Sequence, residues 1–423
     1  MATIRSTALA AAVAATLSGA PFFAVTAQAQ DACGAERGVT AGTTDQAVYN
    51  RMTKAYELVG EEQYSEAKDI FVQLRNRATS DYSKSVLAQA IAQVNWQMED
   101  YDAALKEFET AVELDALPDQ QHYALMYQIA QLYYSKERYS EALERLDLWF
   151  CRVPEEKHTA AAYVLQGSIY AQREDWRNVV TSMGKAISMS PDPKEPWYQL
   201  KLAAHFQLEQ FPEAADTLEV LISKWPDKKV YWNQLSNTYY RIGNNAKALS
   251  VIALAYRKGL LDKQPDMLYL ANLYASQDVP FKAAQVLQTE LEAGVIAPEE
   301  RYWTMAGDNW YAAEEYERAL AAFAQSGKLA DDGKIDMRRA YILVDMERWE
   351  EGAAALQAAL DKGGLKERET GDAHLLMGMT EFQRGNYERA TAAWNRAARF
   401  PRARGQAQQW QAHMREERAR TGL

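Results

Sequence analysis

The sequence predicts an all-α solenoid of about ten stacked helix pairs, closed by a C-terminal capping helix. Three observations carry that prediction. An aromatic residue followed three positions later by a small one recurs ten times, at intervals of 33 to 38 residues. The markers are Tyr64/Ala67, Tyr101/Ala104, Tyr139/Ala142, Trp176/Val179, Phe211/Ala214, Asn245/Ala248, Phe281/Ala284, Tyr316/Ala319, Trp349/Gly352 and Tyr387/Ala390, with Asn245 lacking the ring. About thirteen residues upstream stands a second marker, an apolar or polar residue followed by a small one, as at Ile91-Ala92, Ile129-Ala130, Gln166-Gly167, Leu235-Ser236, Ala306-Gly307 and Met377-Gly378. Several units then end at proline: Pro154, Pro191 and Pro226. A period in this range belongs to helix-pair repeats.

Each element of the pair has a physical reason. The small residue of the upstream marker sits in the first helix, where it lets the second approach closely. The aromatic opens the second helix and fills the gap to the next pair. Downstream apolar positions at helical spacing, such as Phe108 with Ala111 and Phe323, complete the buried face. Proline stops the second helix, because it lacks an N–H and clashes with the preceding turn. One pair cannot bury its own apolar face, whereas a stack buries a continuous core. The ten markers are therefore expected to be packing residues, and changing Ala104 or Ala142 to Leu should overpack a pair.

The unit containing Tyr163, Gly167, Tyr170, Trp176, Ala186 and Pro191 resembles the tetratricopeptide repeat, as does that with Trp303, Gly307, Trp310, Tyr316, Ala319 and Phe323. The units at 197–226 and 268–296 match with a slip of one residue in the first helix. The resemblance covers residues 48–400 and implies a right-handed superhelix that binds protein segments. It specifies a fold more than a partner.

The ends have a different character. Residues 1–29 read as a signal peptide: Arg5, an Ala-rich apolar stretch from Ala8 to Val25, then Ala27-Gln28-Ala29 with cleavage after Ala29. The expected location is the periplasm, and no segment of the remaining chain has the length of a transmembrane helix. Residues 30–47 form an N-terminal segment. In an oxidising compartment Cys33 and Cys151 are expected to pair and tether it. The alternative is two free thiols, with Cys151 buried. Residues 401–423 are expected to form a capping helix and basic tail. From Arg396 onward there are seven arginines against Glu416 and Glu417, so a basic docking surface is the competing reading.

The formal charge of −11 argues against a nucleic-acid partner. The five histidines (His122, His158, His205, His374 and His413) show no HExxH frame and no cysteine clustering, so neither a metal nor another cofactor is expected. No GxGxxG, GxxxxGK[ST] or GxSxG motif occurs. Acidic pairs such as Glu61-Glu62 and Glu314-Glu315 read as solvated turn residues. A non-enzymatic scaffold is the expectation, and a glycan-binding solenoid or an enzyme is the rival.

By the tetratricopeptide resemblance, the first helix of each pair lines a groove. Groove residues that the core does not need are ligand candidates: Tyr127, Gln131 and Tyr134; His205; Asn233, Asn237, Tyr240 and Arg241; and Tyr302, Asp308 and Tyr311. Tyr and Asn suit peptide recognition, offering rigid area and adaptable hydrogen bonds. The lysine of the family's carboxylate clamp for chaperone tails is missing beside Asn237. The stretches 244–261, 279–296, 347–365 and 378–410, with Gly259-Leu260, Gly294-Val295, Gly364-Leu365 and Gln409-Trp410, look like the tetratricopeptide proteins encoded beside TonB–ExbB–ExbD systems. That resemblance implies a periplasmic accessory with TonB, ExbB or ExbD as partner. The alternative is a scaffold for outer-membrane assembly, polysaccharide export or cell-wall synthesis.

Overall fold

The computed structural model describes residues 37–40, 42 and 46–421. Among them the chain forms twenty-one α-helices, one 3-10 turn at Glu155–Lys157 and no strand. The expectation of ten pairs and a cap is met helix by helix. The first four pairs are α1 (Gln46–Gly60) with α2 (Tyr64–Arg77), α3 (Asp81–Gln97) with α4 (Tyr101–Glu113), α5 (Asp119–Ser135) with α6 (Tyr139–Arg152), and α7 (Ala160–Gln172) with α8 (Trp176–Met189). Next come α9 (Glu195–Gln207) with α10 (Phe211–Lys224), α11 (Lys229–Arg241) with α12 (Asn245–Arg257), and α13 (Gln264–Ser276) with α14 (Pro280–Glu292). The last three are α15 (Glu300–Ala312) with α16 (Tyr316–Leu329), α17 (Lys334–Asp345) with α18 (Trp349–Lys362), and α19 (Glu367–Gln383) with α20 (Tyr387–Ala397). The closing helix is α21 (Pro401–Thr421). The chain divides into two compact units, one up to Ala204 and one from His205 on, so the boundary falls inside α9.

The markers do what their chemistry requires. Nine of the ten second helices begin on the marker residue itself, and Phe281 is the second residue of α14. The small partners from Ala67 to Ala390 are fully buried, including Val179. Each first helix ends in a turn whose C′ residue has positive φ. Gly243 and Gly385 fill two of these places, whereas Glu62, Glu99, Glu137, Glu174, Glu209, Asp278, Glu314 and Glu347 fill the other eight. The hydrogen bonds are those of a Schellman turn: Glu62 N donates to Val59 O at 3.1 Å and Gln63 N to Leu58 O at 2.8 Å. The turn acids are therefore more than solvated residues, since each adopts a conformation that glycine takes more easily. Their carboxylates stand just ahead of the next helix's positive end, which favours an acid there. Helices α6, α8 and α10 stop two residues before Pro154, Pro191 and Pro226.

In the first unit, Phe71, Leu87 and Ile91 form the core of α1–α3. Phe108, Ile129, Leu146 and Trp149 continue it through α3–α7, and Val179 and Met183 extend it at α8. In the second unit the fully buried Phe323 fills the groove between α15 and α16. A Cβ added at Gly307 would sit 2.6 Å from its ring. Gly378 does the same for Trp394, at 2.3 Å. At the C-terminal end Trp410 stacks on Trp394 with centroids 6.1 Å apart, and Ala403, Ala407 and Met414 form the buried face of α21. The capping expectation holds: α21 covers apolar surface that α20 would otherwise expose. No helix among the described residues is long and apolar enough to cross a membrane.

Candidate functional site

The first helices of the second unit lie side by side and are joined by polar contacts. Between α11 and α13, Lys229 reaches Asp266 at 3.0 Å, Asn233 Nδ2 donates to Asp266 Oδ1 at 3.1 Å, and Ser236 meets Tyr269 at 3.1 Å. Between α13 and α15, Gln264 Nε2 donates to the Tyr302 hydroxyl at 2.9 Å. Between α15 and α17, Arg338 pairs with Asp308. These helices therefore present one continuous face.

The structure sorts the expected groove residues into three groups. Tyr302 and Asn233 are half-buried linkers between successive first helices, and Asp308 is neutralised by Arg338. Tyr127 and Tyr134 of α5 pack into the first unit's core, with ring centroids 5.7 Å from Trp149 and 5.8 Å from Tyr139 respectively; burial raises the Tyr127 pKa. Only Gln131 of that trio is exposed. His205 is a correction: it is 4% exposed, with Nδ1 2.9 Å from Gln210 Oε1. Its ring pins the turn after α9 and presents no edge to a ligand. Asn237, Tyr240, Arg241 and Tyr311 remain exposed.

Tyr240 stands out for a reason readable in the repeat. The penultimate residue of a first helix is often aromatic, and it packs on the aromatic that opens the second helix. The pairs are Trp96–Tyr101 at 4.8 Å, Tyr134–Tyr139 at 5.8 Å, Phe206–Phe211 at 6.5 Å, Tyr311–Tyr316 at 5.6 Å and Phe382–Tyr387 at 5.9 Å. Tyr240 is penultimate in α11, but α12 opens with Asn245. Without a ring to cover it, Tyr240 is 54% exposed, against 47% for Tyr311. Asn237 is exposed one turn earlier, and the Arg241 guanidinium lies 4.2 Å over the Phe211 ring. An aromatic face, an amide and a cation thus share one end of α11. Farther along the face, Arg338 and the exposed Tyr341 of α17 were not among the sequence candidates.

The remaining polar chemistry supports structure. In the first unit Arg37, almost fully enclosed, ion-pairs with Asp115 at 2.8 Å and donates to Asp115 O at 3.0 Å and Leu117 O at 2.9 Å. Fully buried His122 lies beside this cluster, its Nε2 3.6 Å from Asp115 Oδ1. Burial, aided by the positive charge of Arg37, lowers its pKa to about 4. His158 Nε2 is 2.9 Å from Val153 O, and its Nδ1 is 3.2 Å from the Tyr163 hydroxyl. No group of three or more metal-binding side chains is assembled among the described residues. Cys151 is disulfide-bonded and surface-exposed, so the buried-thiol alternative does not hold; Cys33 lies outside the described residues.

Residues 90–149 and 337–407 match the family model described as tetratricopeptide repeat, which spans α3–α6 and most of α17–α21. A tetratricopeptide repeat protein from Parabacteroides merdae is similar in structure at 14% identity, covering 68% of this chain and 94% of that one with a TM-score of 0.36. The TPR2AB domain of yeast Sti1, solved as a complex with pHSP90, is similar at 14% identity over 61% of this chain and 96% of its own, with a TM-score of 0.32. No curated protein sequence matches the chain. The match covers two separate stretches, and the other helix pairs share their helix–turn–helix architecture.

Proposed function

We propose that this tetratricopeptide-repeat protein is a non-enzymatic scaffold that binds an extended segment of a partner protein on the first-helix face of its second unit, centred on Tyr240 and Asn237. The observation that carries the proposal is the missing ring at Asn245. At five other pairs a ring packs on the equivalent aromatic, and here none does, so a tyrosine face 54% exposed stands beside an exposed amide. An extended chain offers backbone groups to Asn237 and apolar side chains to the Tyr240 ring. Exposed aromatics of this kind dominate the energetics of interfaces.

The finer reading is an exported protein that works in the periplasm as an accessory of a TonB–ExbB–ExbD complex. It is supported by the leader-like residues 1–29 and by the likeness of the 230–415 repeats to proteins encoded beside such systems. In vivo crosslinking of the tagged protein tests both levels. Capture of TonB, ExbB or ExbD that falls at least tenfold in the Asn237→Ala/Tyr240→Ala variant supports the whole proposal. Capture of envelope-assembly proteins with the same dependence keeps the surface and discards the TonB role. Capture indifferent to the variant removes the surface.

A further inference from the structure

A second surface lies on the opposite kind of helix. Between α18 and α20, floored by α19, is an open cleft of about 550 Å³, within the range of ligand-sized clefts. Ala353 and Ala354 on one wall and Ala392 and Ala393 on the other make it shallow and smooth. Arg389 and Arg396 flank it from α20, and Arg384 enters from the end of α19. Buried Glu381 holds Arg384 at 2.9 Å and accepts from Asn386 Nδ2 at 2.6 Å, so its charge is consumed in fixing the floor. Arg389 and Arg396 are exposed, and no carboxylate among the described residues pairs with either. Glu350 is the one acid at the rim of the cleft.

The surroundings sharpen the charge. From Arg384 to Arg420 the chain carries nine arginines and no lysine, against three acids, in a protein of net charge −11. Burial and then the nearby Arg396 and Arg399 lower the pKa of His374 on α19, as an uncompensated positive field should.

We propose that this arginine-walled cleft binds an extended acidic segment of a partner protein, with carboxylates three residues apart. The spacing follows from the helix: Arg389 and Arg396 are seven positions apart on α20, which is about 10 Å at 1.5 Å per residue. A polyproline-type segment brings every third side chain to one face, repeating at about 9 Å. Two such carboxylates meet the two guanidinium groups, and charge-assisted contacts of this kind are the strong ones. A membrane fits less well. The charges are recessed between two helices, and among the described residues C-terminal to Tyr341 no large apolar side chain is exposed.

The test is fluorescence anisotropy on the full chain. The probe is a labelled peptide with glutamates at every third position in a proline-rich background, compared with its glutamine counterpart. We expect the acidic peptide to bind at least tenfold more tightly than the glutamine one, and to weaken at least tenfold in the Arg389→Gln/Arg396→Gln variant. The Tyr240→Ala variant should leave it unchanged, which separates this surface from the α11 face. Equal binding of both peptides, or full affinity in the arginine variant, overturns the proposal. So does capture by vesicles containing anionic phosphatidylglycerol without peptide binding. If the variant is unstable, the salt response of the wild type decides. Affinity unchanged between 50 and 200 mM salt also overturns it, because binding through released counter-charges must fall.

Discussion

At the residue scale, two glycines separate packing from propensity. Gly307 faces the ring of Phe323, and an added methyl would lie 2.6 Å from it. Alanine is the better helix former by up to about 1 kcal/mol. In a close-packed core, overpacking costs roughly 1–3 kcal/mol, so it wins. Gly307→Ala should lower the urea midpoint. Gly184, on α8, meets nothing within 4 Å, so Gly184→Ala should raise the midpoint by about 0.5–1 kcal/mol in equivalent stability. Equal shifts would mean that propensity alone governs these sites. His122 makes a pH-dependent contribution. Its folded pKa of about 4 lies below the ordinary value of 6.5, so the unfolded chain binds its proton first as the pH falls. The contribution is complete above about pH 6.5, roughly 2 kcal/mol is lost by pH 5, and the loss levels off below about pH 4. Urea titrations at pH 7 and pH 5 should show that difference narrowing in His122→Leu, and a variant with an unchanged pH slope would assign the slope to other groups. The acids that face His122, Asp115 and Asp119, oppose the shift, whereas Arg37 and Arg152 reinforce it.

At the element scale, successive pairs are fastened by a tyrosine, a glutamate and a cation from three different helices. The Tyr133 hydroxyl of α5 donates to Glu109 of α4, which Arg145 of α6 also meets at 2.9 Å. Tyr239 of α11 donates to Glu219 of α10, and Lys247 of α12 reaches the same hydroxyl at 3.2 Å. Glu109→Ala would leave a half-buried hydroxyl and a guanidinium without their acceptor, at a cost of about 1–3 kcal/mol. Glu109→Gln keeps an acceptor and should cost less, and equal losses in thermal or urea melts would show that the side chain's bulk matters more than its charge. Such fasteners explain what the sequence could and could not reveal. Helix pairs, their starts and the cap were legible because Tyr64, Ala67 and their equivalents repeat, and repetition marks buried positions. The groove was only partly legible. Tyr127, Tyr134 and His205 carry rings on first helices as Tyr240 does, yet packing claims them. No local rule gives a non-glycine residue such as Glu137 a positive φ, so the turn acids looked merely solvated. Asn245, the one break in the aromatic series, was visible in the sequence, but its consequence for Tyr240 needed the packing of the other pairs. The same logic predicts a trade-off. Asn245→Tyr should restore the missing ring pair, stabilise the α11–α12 pair by about 0.5–1.5 kcal/mol, and weaken partner capture by covering Tyr240. A variant that gains stability but loses no partner would place the binding surface elsewhere.

At the scale of the whole molecule, a stack of pairs is held by nearest-neighbour contacts, so its stability is a sum of local terms and need not respond as one block. The end of the stack is where this is most easily seen. Trp394 is fully buried only because α21 lies over it, with Trp410 stacked on its ring at 6.1 Å. Trp410→Ala removes that cover from one side of α20 while leaving Ala403, Ala407 and the turn at Phe400 in place. The loss of a half-buried indole is expected to cost about 2 kcal/mol, below the 3–5 kcal/mol of a fully buried one. A nearest-neighbour stack confines that cost. Amide hydrogen exchange in α19–α21 should accelerate roughly 30-fold, since 1.4 kcal/mol corresponds to about tenfold. Exchange in α1–α4, which belong to the first unit, should not change. Acceleration spread evenly over every helix would instead make the chain one cooperative block, and the additive treatment of its pairs would have to be abandoned. Confinement to the last helices has a functional corollary: partner binding at α11 and at the α18–α20 cleft would each protect its own neighbourhood, so the two surfaces could be occupied independently.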